Sequence, residues 1–442
     1  MLGVGSHKIQ KVTHSISNVI THYILVEYFM KKSSSHNKEN NRIVFVHSFF
    51  YPDYSAGSQM LSDLSFYLAD EGFDVTIVTS RKMYDGSNKT LLKKEVINDV
   101  NIHRVFSSNW NRRSYIGRIL NYISLEISII VKLFNITKKG TIVVFKTDPP
   151  LLNIIAYPII KFKSGLVVNW LQDLFPEVAV SAGLFSKESL INRLLTKFRN
   201  LTLKNSNKNI VIGNRMLDYL LNIGIDEKKI IKIENWSDGD EIYSISNSEN
   251  SMRNEWQLED QFVVGYSGNL GRAHDISTII TVIDELKFVQ NITFLFIGGG
   301  VGLEIIKSHV EKNNLNNVIF KPYQDRDLLV KSLNIADVHW VTLDPQMEGF
   351  IVPSKFYGIL AAAKPVIFIG DKNGELAQDI RRIGCGESVD IGDTNRLVRL
   401  IKKYSRSPAY VSKIGNLGRE EFNIAYNFSI ASDKFKKVFN EL

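Results

Sequence analysis

Residues 42–80 read RIVFVHSFFYPDYSAGSQMLSDLSFYLADEGFDVTIVTS. A nearly unbroken apolar run comes first, at 42–50. Leu61, Leu64 and Leu68 then recur at helical spacing, and a second β-branched run closes the stretch at 74–80. The two runs do not alternate apolar with polar. Strands of that kind are covered on both faces, which happens when parallel strands are joined by crossover helices.

The unit repeats outward. Apolar runs at 101–107, 141–146, 166–171, 209–213 and 230–235 are separated by helical patterns. Residues 237–260 are polar and poor in strand signal. A second series follows at 262–268, 292–300, 318–323, 338–343 and 366–370. The expected fold is α/β, with two Rossmann-like doubly wound domains facing a cleft. The boundaries are expected at 41–240 for the first domain, 241–260 for a linker and 261–426 for the second domain. An amphipathic helix at 427–442 is expected to pack back on the first. Residues 1–40 read as an extension outside the fold. Their apolar stretch is broken by His22 and Glu27, no small-residue cleavage site follows, and Met30 is the expected start of the functional chain.

A chain of 442 residues, 44% hydrophobic and 23% charged, has material for two or three packed domains. Its lone cysteine, Cys385, excludes a disulfide framework and fits a reducing compartment. The net charge of +8 is uneven. Residues 41–240 hold 26 Lys and Arg against 19 Asp and Glu, while residues 241–442 hold 23 against 25. The basic half suggests an anionic partner surface. No basic-aromatic groove pattern accompanies it, so nucleic acid is not expected. No run reaches about 18 uninterrupted apolar residues, and no membrane-spanning helix is expected.

The chemistry is expected in the loops after the strands. FFYPDYSAGSQ places Gly57 and Ser58 where a strand meets a helix, and a helix start offers free N–H groups to an anion. An ordinary strand-to-helix turn would look the same. YSGNLGRAHD places Gly268 and Asn269 after a strand, with Arg272 close behind. GGGVG at 298–302 follows another strand. It is not a dinucleotide fingerprint, because its third glycine is misplaced and no acid follows about 20 positions on. In EGFIVPSK, residues 348–355, the run Phe350–Val352 can offer backbone N–H groups to a ligand. Pro353 suits a helix entry. Lys355 then opposes its own helix dipole, which makes sense if an anion sits between them; a solvated surface lysine is the plainer alternative. Arg272, Lys355 and two helix starts together suit a diphosphate, and Glu348 suits a sugar.

Six ordered stretches carry a resemblance: YPDYSAGSQMLSDL, TDPPLL, NWLQDLFPE, IENWSD, YSGNLGRAH and EGFIVPSKFYGILAAAKPVIFIGD. From about Arg42 to the C-terminus the chain resembles family 4 retaining glycosyltransferases of the GT-B fold, in the WbuB/WcaI-like group. The resemblance implies metal-independent, retaining transfer of a hexosyl or N-acetylhexosaminyl unit from a nucleotide sugar, UDP-linked by expectation. The acceptor it implies is a polyprenyl-diphosphate-linked saccharide in surface polysaccharide assembly. It implies that Glu348 contacts the donor sugar, that Arg272 and Lys355 contact the diphosphate, and that Gly349, Phe350, Ile351 and Val352 lie along the sugar-phosphate. Gly57 would let the first domain close over the diphosphate, and Asp173 would lie on the catalytic side of that domain unless it caps the following helix. Ser58, Gly268, Asn269, Gly298, Tyr323 and Ser354 complete the implied donor set.

The chain departs from the family in two places. Gly358 stands where a ribose-binding glutamate is usual, and Asn269 and His274 replace the usual Arg and Lys of the loop holding Arg272. Literal DxD strings at Asp238 and Asp240 and at Asp325 and Asp327 are read as linker and helix-start acids, and no metal or other cofactor is expected. Residues 109–140 and 190–204 mix basic ends with apolar middles, as a helix in an anionic membrane interface does, although core-facing helices with a solvated rim do so too. Peripheral docking of the first domain on the cytoplasmic face of the cell membrane is expected. Two alternatives stay open: a sugar-nucleotide epimerase of the same architecture, and a nucleotide-sugar-binding relative without turnover.

Overall fold

The computed structural model describes residues 41–84, 90–110, 115–184 and 186–442. The expected extension at 1–40 and the basic pair Arg112 and Arg113 lie outside them.

Eight strands build the first sheet: β1 (Arg42–Val46), β2 (Asp74–Ser80), β3 (Lys94–Ile97), β4 (Val100–Val105), β5 (Ile142–Lys146), β6 (Leu166–Leu171), β7 (Lys208–Val211) and β8 (Ile230–Lys232). Their order is β3-β4-β2-β1-β5-β6-β7-β8, parallel throughout except for the β3–β4 hairpin. β1 shows why its run is apolar on both sides. Ile43 and Phe45 pack on Leu61, Leu64 and Leu68 of the helix Ala56–Asp70. Val44 and Val46 pack the other way, on Leu125, Ile129 and Leu133 of the helix Tyr115–Ile136. Each such fully buried side chain contributes about 1.5–3 kcal/mol.

The second sheet holds β9 (Phe262–Asn269), β10 (Ile292–Gly299), β11 (Val318–Lys321), β12 (Val338–Thr342), β13 (Val366–Ile369) and β14 (Gly386–Val389). Its order is β11-β10-β9-β12-β13-β14, with every pairing parallel. Connections run to opposite sides from β1 and from β9. The crevices that receive ligands in such sheets therefore lie between β1 and β5, and between β9 and β12.

One expectation needs correction, and two strands were missed. β3 and β14 were not legible as strands. The stretch 241–260 is not all linker, since Met252, Trp256 and Leu258 around the helix Ser251–Glu255 are buried against Val263 and Leu295 of the second domain. The helix Tyr115–Ile136 is long and apolar enough, by length and composition, to cross a membrane, with a mean hydropathy of 1.6 over 18 residues. It is nonetheless seated on the first sheet through Leu125, Ile129 and Leu133, which makes it a helix of the domain.

The chain crosses between domains twice. Ser237 and Asn427 pair at the crossing, where Ser237 N–H donates to Tyr426 O at 3.2 Å and Phe428 N–H donates to Ser237 O at 2.9 Å. Beyond it, the helix Phe428–Asn440 sends Phe435 and Phe439 into the first domain's core, and Phe435 meets Trp170 edge-on at 4.8 Å. Cys385 is buried, and burial pushes its thiol up to about 12, so it packs as a small apolar side chain.

Candidate active site

β9 ends in Gly268, whose φ of +121° favours glycine. The space a side chain would fill is taken by Lys355: a Cβ on Gly268 would lie 2.8 Å from its Cε. Lys355 folds back over the strand end instead of reaching into solvent. Its Nζ donates to Asn269 O at 3.3 Å and lies 5.1 Å from the centre of the Tyr266 ring. Burial pushes the amine down to about 8, and among the described residues no carboxylate offsets that. A half-desolvated cation without a carboxylate partner favours an arriving anion.

β10 reaches the same place. A Cβ on Gly298 would lie 2.3 Å from Gly268 O, so these two strand ends meet only with glycine there. Gly300 leads directly into the helix Val301–Asn313, whose start therefore lies beside Asn269. Tyr323 lies over Gly299 and faces Tyr54 of the first domain, ring centres 6.3 Å apart. Arg272 is exposed on the turn after β9. His274 Nδ1 lies 2.6 Å from Thr342 O, and burial beside Lys355 pushes its imidazole down to about 4. It is a neutral donor, and it does not supply the second cation that the family pattern has in this loop. Ser354 holds the N-cap position of the helix Lys355–Ala361 without a side-chain capping bond. At Gly358 a Cβ would meet Leu333 Cδ1 at 3.5 Å and Ser237 Oγ at 3.9 Å, ordinary contacts that leave room for a side chain.

The loop of Glu348 is engaged differently from expectation. The Glu348 carboxylate accepts Glu375 N–H at 2.6 Å, at the start of the helix Glu375–Ile383, and lies 3.6 Å from Arg215 Nε of the first domain. Burial raises it, against the pull of that N–H and of Arg215. Phe350 N–H and Ile351 N–H both donate to Met347 O, at 3.0 and 3.3 Å. Two of the N–H groups that the sequence offered to a ligand are therefore spent within the loop. Phe350 O accepts Leu174 N–H at 2.9 Å, Ile351 bridges Asp173, and Phe350 and Val352 pack on Leu171 and Leu174. Gly349, at φ +82°, makes the turn that brings this loop against the first domain.

On the first domain, Gly57 stands in the opening turn of the helix Ala56–Asp70. A Cβ there would lie 2.8 Å from His47 Nε2. Ser58 is fully buried, backbone and side chain alike, and its carbonyl accepts the Ser62 hydroxyl at 2.8 Å, so it offers no exposed group to a ligand. Asp173 does not cap the next helix, because Glu177–Ser181 starts at Pro176 with no side-chain cap. Asp173 is exposed, its N–H donates to Thr147 Oγ1 at 3.2 Å, and partial desolvation raises its carboxyl against the pull of Lys146. Sequence reading missed Lys146, Arg215 and Glu375. A lysine closing the otherwise apolar run IVVFK was the one signal for the first.

Among the described residues, no group of three or more His, Cys, Asp or Glu is placed to hold a metal. Asp238 accepts the N–H of Asp240 at 2.8 Å, an ordinary turn, and Asp325 precedes a single 3-10 turn at Arg326–Leu328.

Residues 248–421 match the family described as glycosyl transferases group 1. The chain is 27% identical over 328 residues to a probable glycosyltransferase, WbjE, of Pseudomonas aeruginosa, covering 74% of this chain and 80% of that protein. It is 25% identical over 222 residues to the putative colanic acid biosynthesis glycosyl transferase WcaI of Escherichia coli K12, covering 49% and 54%. Among solved structures, sucrose-phosphate synthase from Thermosynechococcus elongatus superposes with TM-score 0.72 at 15% identity, over 91% of this chain and 98% of that one. HepE from Anabaena, in complex with UDP and glucose, gives 0.68 at 15%, over 91% and 100%. WaaG, a glycosyltransferase involved in lipopolysaccharide biosynthesis, gives 0.66 at 14%, over 90% and 99%. The shared architecture is the two-domain GT-B fold.

Proposed function

We propose that this chain, a glycosyltransferase whose residues 248–421 form a glycosyl transferases group 1 domain, moves a sugar from a UDP-sugar to a lipid-linked saccharide during surface polysaccharide assembly. One observation carries the donor half of this reading. Lys355 is a half-desolvated cation without a carboxylate partner, seated at the crevice of the second sheet beside the start of the helix Val301–Asn313. A diphosphate supplies the charge it lacks. HepE, of the same fold, is solved with UDP and glucose, and WbjE and WcaI bear glycosyltransferase names, WcaI in colanic acid synthesis.

Transfer in this reading needs no protein nucleophile. The acceptor hydroxyl attacks on the face from which the diphosphate leaves. Its proton passes to the departing phosphate oxygen, so configuration is retained. The protein's part is to position both partners and to stabilise charge on the leaving group, which falls to Lys355 and the helix start.

A lipid-linked acceptor requires a membrane surface, and the first domain offers a face suited to one. The helices Tyr115–Ile136, Leu152–Phe162 and Leu190–Asn205 lie side by side over one face of its sheet. Ile127, Val131, Phe162, Leu194 and Phe198 are exposed on them. The three helices hold seven Lys and Arg and one acid, Glu126. A second copy docked through the same face would oppose like charges, and protein interfaces are depleted in lysine. An anionic bilayer at the cytoplasmic face matches both the aliphatic stripe and the charge. Trp110 adds an exposed indole near this layer, its backbone held by two hydrogen bonds of 3.0 Å to the Asn121 side chain.

Calorimetry tests the donor site. UDP is expected to bind the wild type more tightly than GDP, and Lys355→Ala to weaken that binding by about tenfold or more, the loss of one charge-assisted contact. Absence of binding by either nucleotide would remove the reading at its base. With a UDP-sugar panel and a membrane extract, sugar appearing on lipid supports transfer, whereas an altered free nucleotide sugar would instead indicate epimerisation.

A further inference from the structure

Two exposed rings stand at the mouth of the first sheet's crevice, between β1 and β5, which the donor-site reading leaves unused. Tyr54, on the loop after β1, is 44% exposed, and Tyr84, on the loop after β2, is 46% exposed. Tyr54 faces Tyr323 of the second domain, ring centres 6.3 Å apart, and Tyr84 stands edge-on to Phe49 at 5.6 Å. Asp148, just past β5, and Asp53 both act on the Tyr84 phenol. The backbones under the two rings are held by side chains. Asp53 is 4% exposed, and its carboxylate accepts the Ser55 N–H at 2.9 Å, the Ser55 hydroxyl at 2.6 Å and the Tyr84 N–H at 2.6 Å. Gln59 Nε2 donates to Tyr54 O at 2.8 Å. A buried carboxylate thus joins one loop to the other and fixes both rings relative to the crevice. Binding side chains are commonly presented in this way, on loops that a rigid scaffold holds still.

The charge of the crevice selects among occupants. Half-buried Asp148 and exposed Asp173 border it. The cations near them are spent. Lys146 is 3% exposed, its Nζ donating to Gly57 O at 2.7 Å and lying 4.2 Å from the centre of the Trp170 ring. Lys82, two residues before Tyr84, turns its Nζ to Ser108 O and to Asn109 Oδ1 at 3.2 Å. Arg326, on the second domain's side, is committed to Asp63 and Glu241. Among the described residues the accessible charge here is therefore negative, which disfavours a phosphate or a carboxylate. A protein surface does not fit a space bounded by Tyr323 of the other domain. An uncharged pyranose does, because its C–H face can lie on a phenol ring while its hydroxyls meet polar groups at the rim. The bonds of Lys82 also tie the Tyr84 loop to the segment ending in Trp110. A saccharide on these rings is thereby next to the face proposed to meet the bilayer.

We propose that Tyr84 and Tyr54 form the stacking subsite for the acceptor. The terminal residue of the lipid-linked saccharide lies on the Tyr84 ring and against Tyr54. It is an uncharged hexose or N-acetylhexosamine and not a hexuronate, and the lipid diphosphate stays outside the crevice. The inference rests on the glycosyl-transfer reading of the cleft and adds the class of sugar that receives the transfer. The rings take no proton. The acceptor hydroxyl still gives its own to the departing phosphate oxygen, and the two tyrosines set where that hydroxyl stands.

The test titrates membrane extract into the full chain at saturating labelled UDP-sugar, and reads half-saturation and maximal rate for wild type, Tyr84→Leu and Tyr84→Phe. Leucine keeps an apolar side chain without a ring, and phenylalanine keeps the ring. Half-saturation is expected to rise about tenfold in Tyr84→Leu and to stay within about twofold of wild type in Tyr84→Phe. UDP affinity, by calorimetry, is expected to be equal in all three; a loss of it in Tyr84→Leu would put the ring on the nucleotide and overturn the proposal. A merely structural Tyr84 would lower the melting temperature and the maximal rate with half-saturation unmoved, which is equally fatal. So is an equal rise in Tyr84→Phe, which would assign the effect to the hydroxyl. The sugar that carries the new label, released from lipid by mild acid and identified by mass spectrometry, is expected to be uncharged, and a uronate there also overturns the proposal. If Tyr84→Leu does not fold, Tyr54→Leu is judged by the same rise in half-saturation. A wild type that transfers no label to lipid from any donor takes the functional reading down as well; transfer with unmoved half-saturation removes only this inference.

Discussion

Lys355 and His339 are both ionisable groups held away from water, and their surroundings give them different consequences. Lys355 lies at the cleft, so a ligand can supply the missing charge. His339 is sealed on β12, its Nε2 2.8 Å from Leu333 O, and burial pushes it down to about 4 from an ordinary 6.5. Nothing can reach it, so its shift becomes a pH dependence of stability. The unfolded imidazole takes a proton near pH 6.5, whereas the folded one resists until about pH 4. Stability is therefore complete above pH 6.5 and drains away as pH falls toward 4, by about 3 kcal/mol for a shift of this size. Denaturant melts of wild type and His339→Gln at pH 7 and pH 5 check this. The wild type should lose its advantage over the variant at the lower pH, and a constant gap between the two would rule the account out. Single residues were legible in the sequence where chain neighbours explained them, as Lys355 and Gly268 were. Lys146 was not, because the Gly57 carbonyl it holds and the Trp170 ring it lies against are 89 and 24 residues away in the chain.

At the scale of elements, the apolar runs were readable because buried parallel strands carry no polar face to confuse them. The strands that escaped, β3 and β14, are KEVI and GESV at the outer edges of their sheets, where one flank is open and polar residues cost little. Helices gave an ambiguous signal. The pattern in 109–140 and 190–204 fits a core helix or an interfacial one, and the structure contains both faces. Leu125, Ile129 and Leu133 are buried, while Ile127 and Val131 on the same helix are 58% and 57% exposed. The bilayer reading of that outer stripe makes a direct prediction. Full-length protein should float with vesicles containing anionic lipid, and bind poorly to neutral ones. Ile127→Asp with Phe198→Asp should abolish flotation while leaving UDP affinity unchanged, since neither residue lies near the second sheet's crevice. Equal flotation of wild type and double variant would assign membrane binding to another part of the chain.

At the scale of the whole molecule the two domains are tied across the cleft, and these ties join residues too far apart in sequence to be foreseen. Glu348 caps the helix Glu375–Ile383, and the Glu375 carboxylate in turn accepts the N–H groups of Asn214 and Arg215 at the start of a first-domain helix. The loop of Glu348 is thereby linked to the first domain through two successive helix starts. On the other flank Arg326 holds Asp63 through two hydrogen bonds of 3.0 Å. Their strengths differ for a physical reason. A carboxylate on helix N–H groups, sheltered between domains, contributes about 1.5–3 kcal/mol. A partly exposed arginine pair contributes about 1 kcal/mol or less, because water competes for both partners. Glu375→Ala should therefore open the cleft more than Arg326→Ala does. Small-angle scattering without nucleotide should give a larger radius of gyration for the first variant, and UDP should draw it back toward the wild-type value if the proposed ligand also meets the first domain, because binding to the closed form restores closure by mass action. If Arg326→Ala opens the molecule more, closure is governed by the arginine flank and the helix-to-helix relay is incidental. If neither variant changes the radius, the apolar seam of Phe350 and Val352 on the first domain holds the cleft shut by itself. Substrate exchange would then require breaking that seam, and its side chains would set the rate.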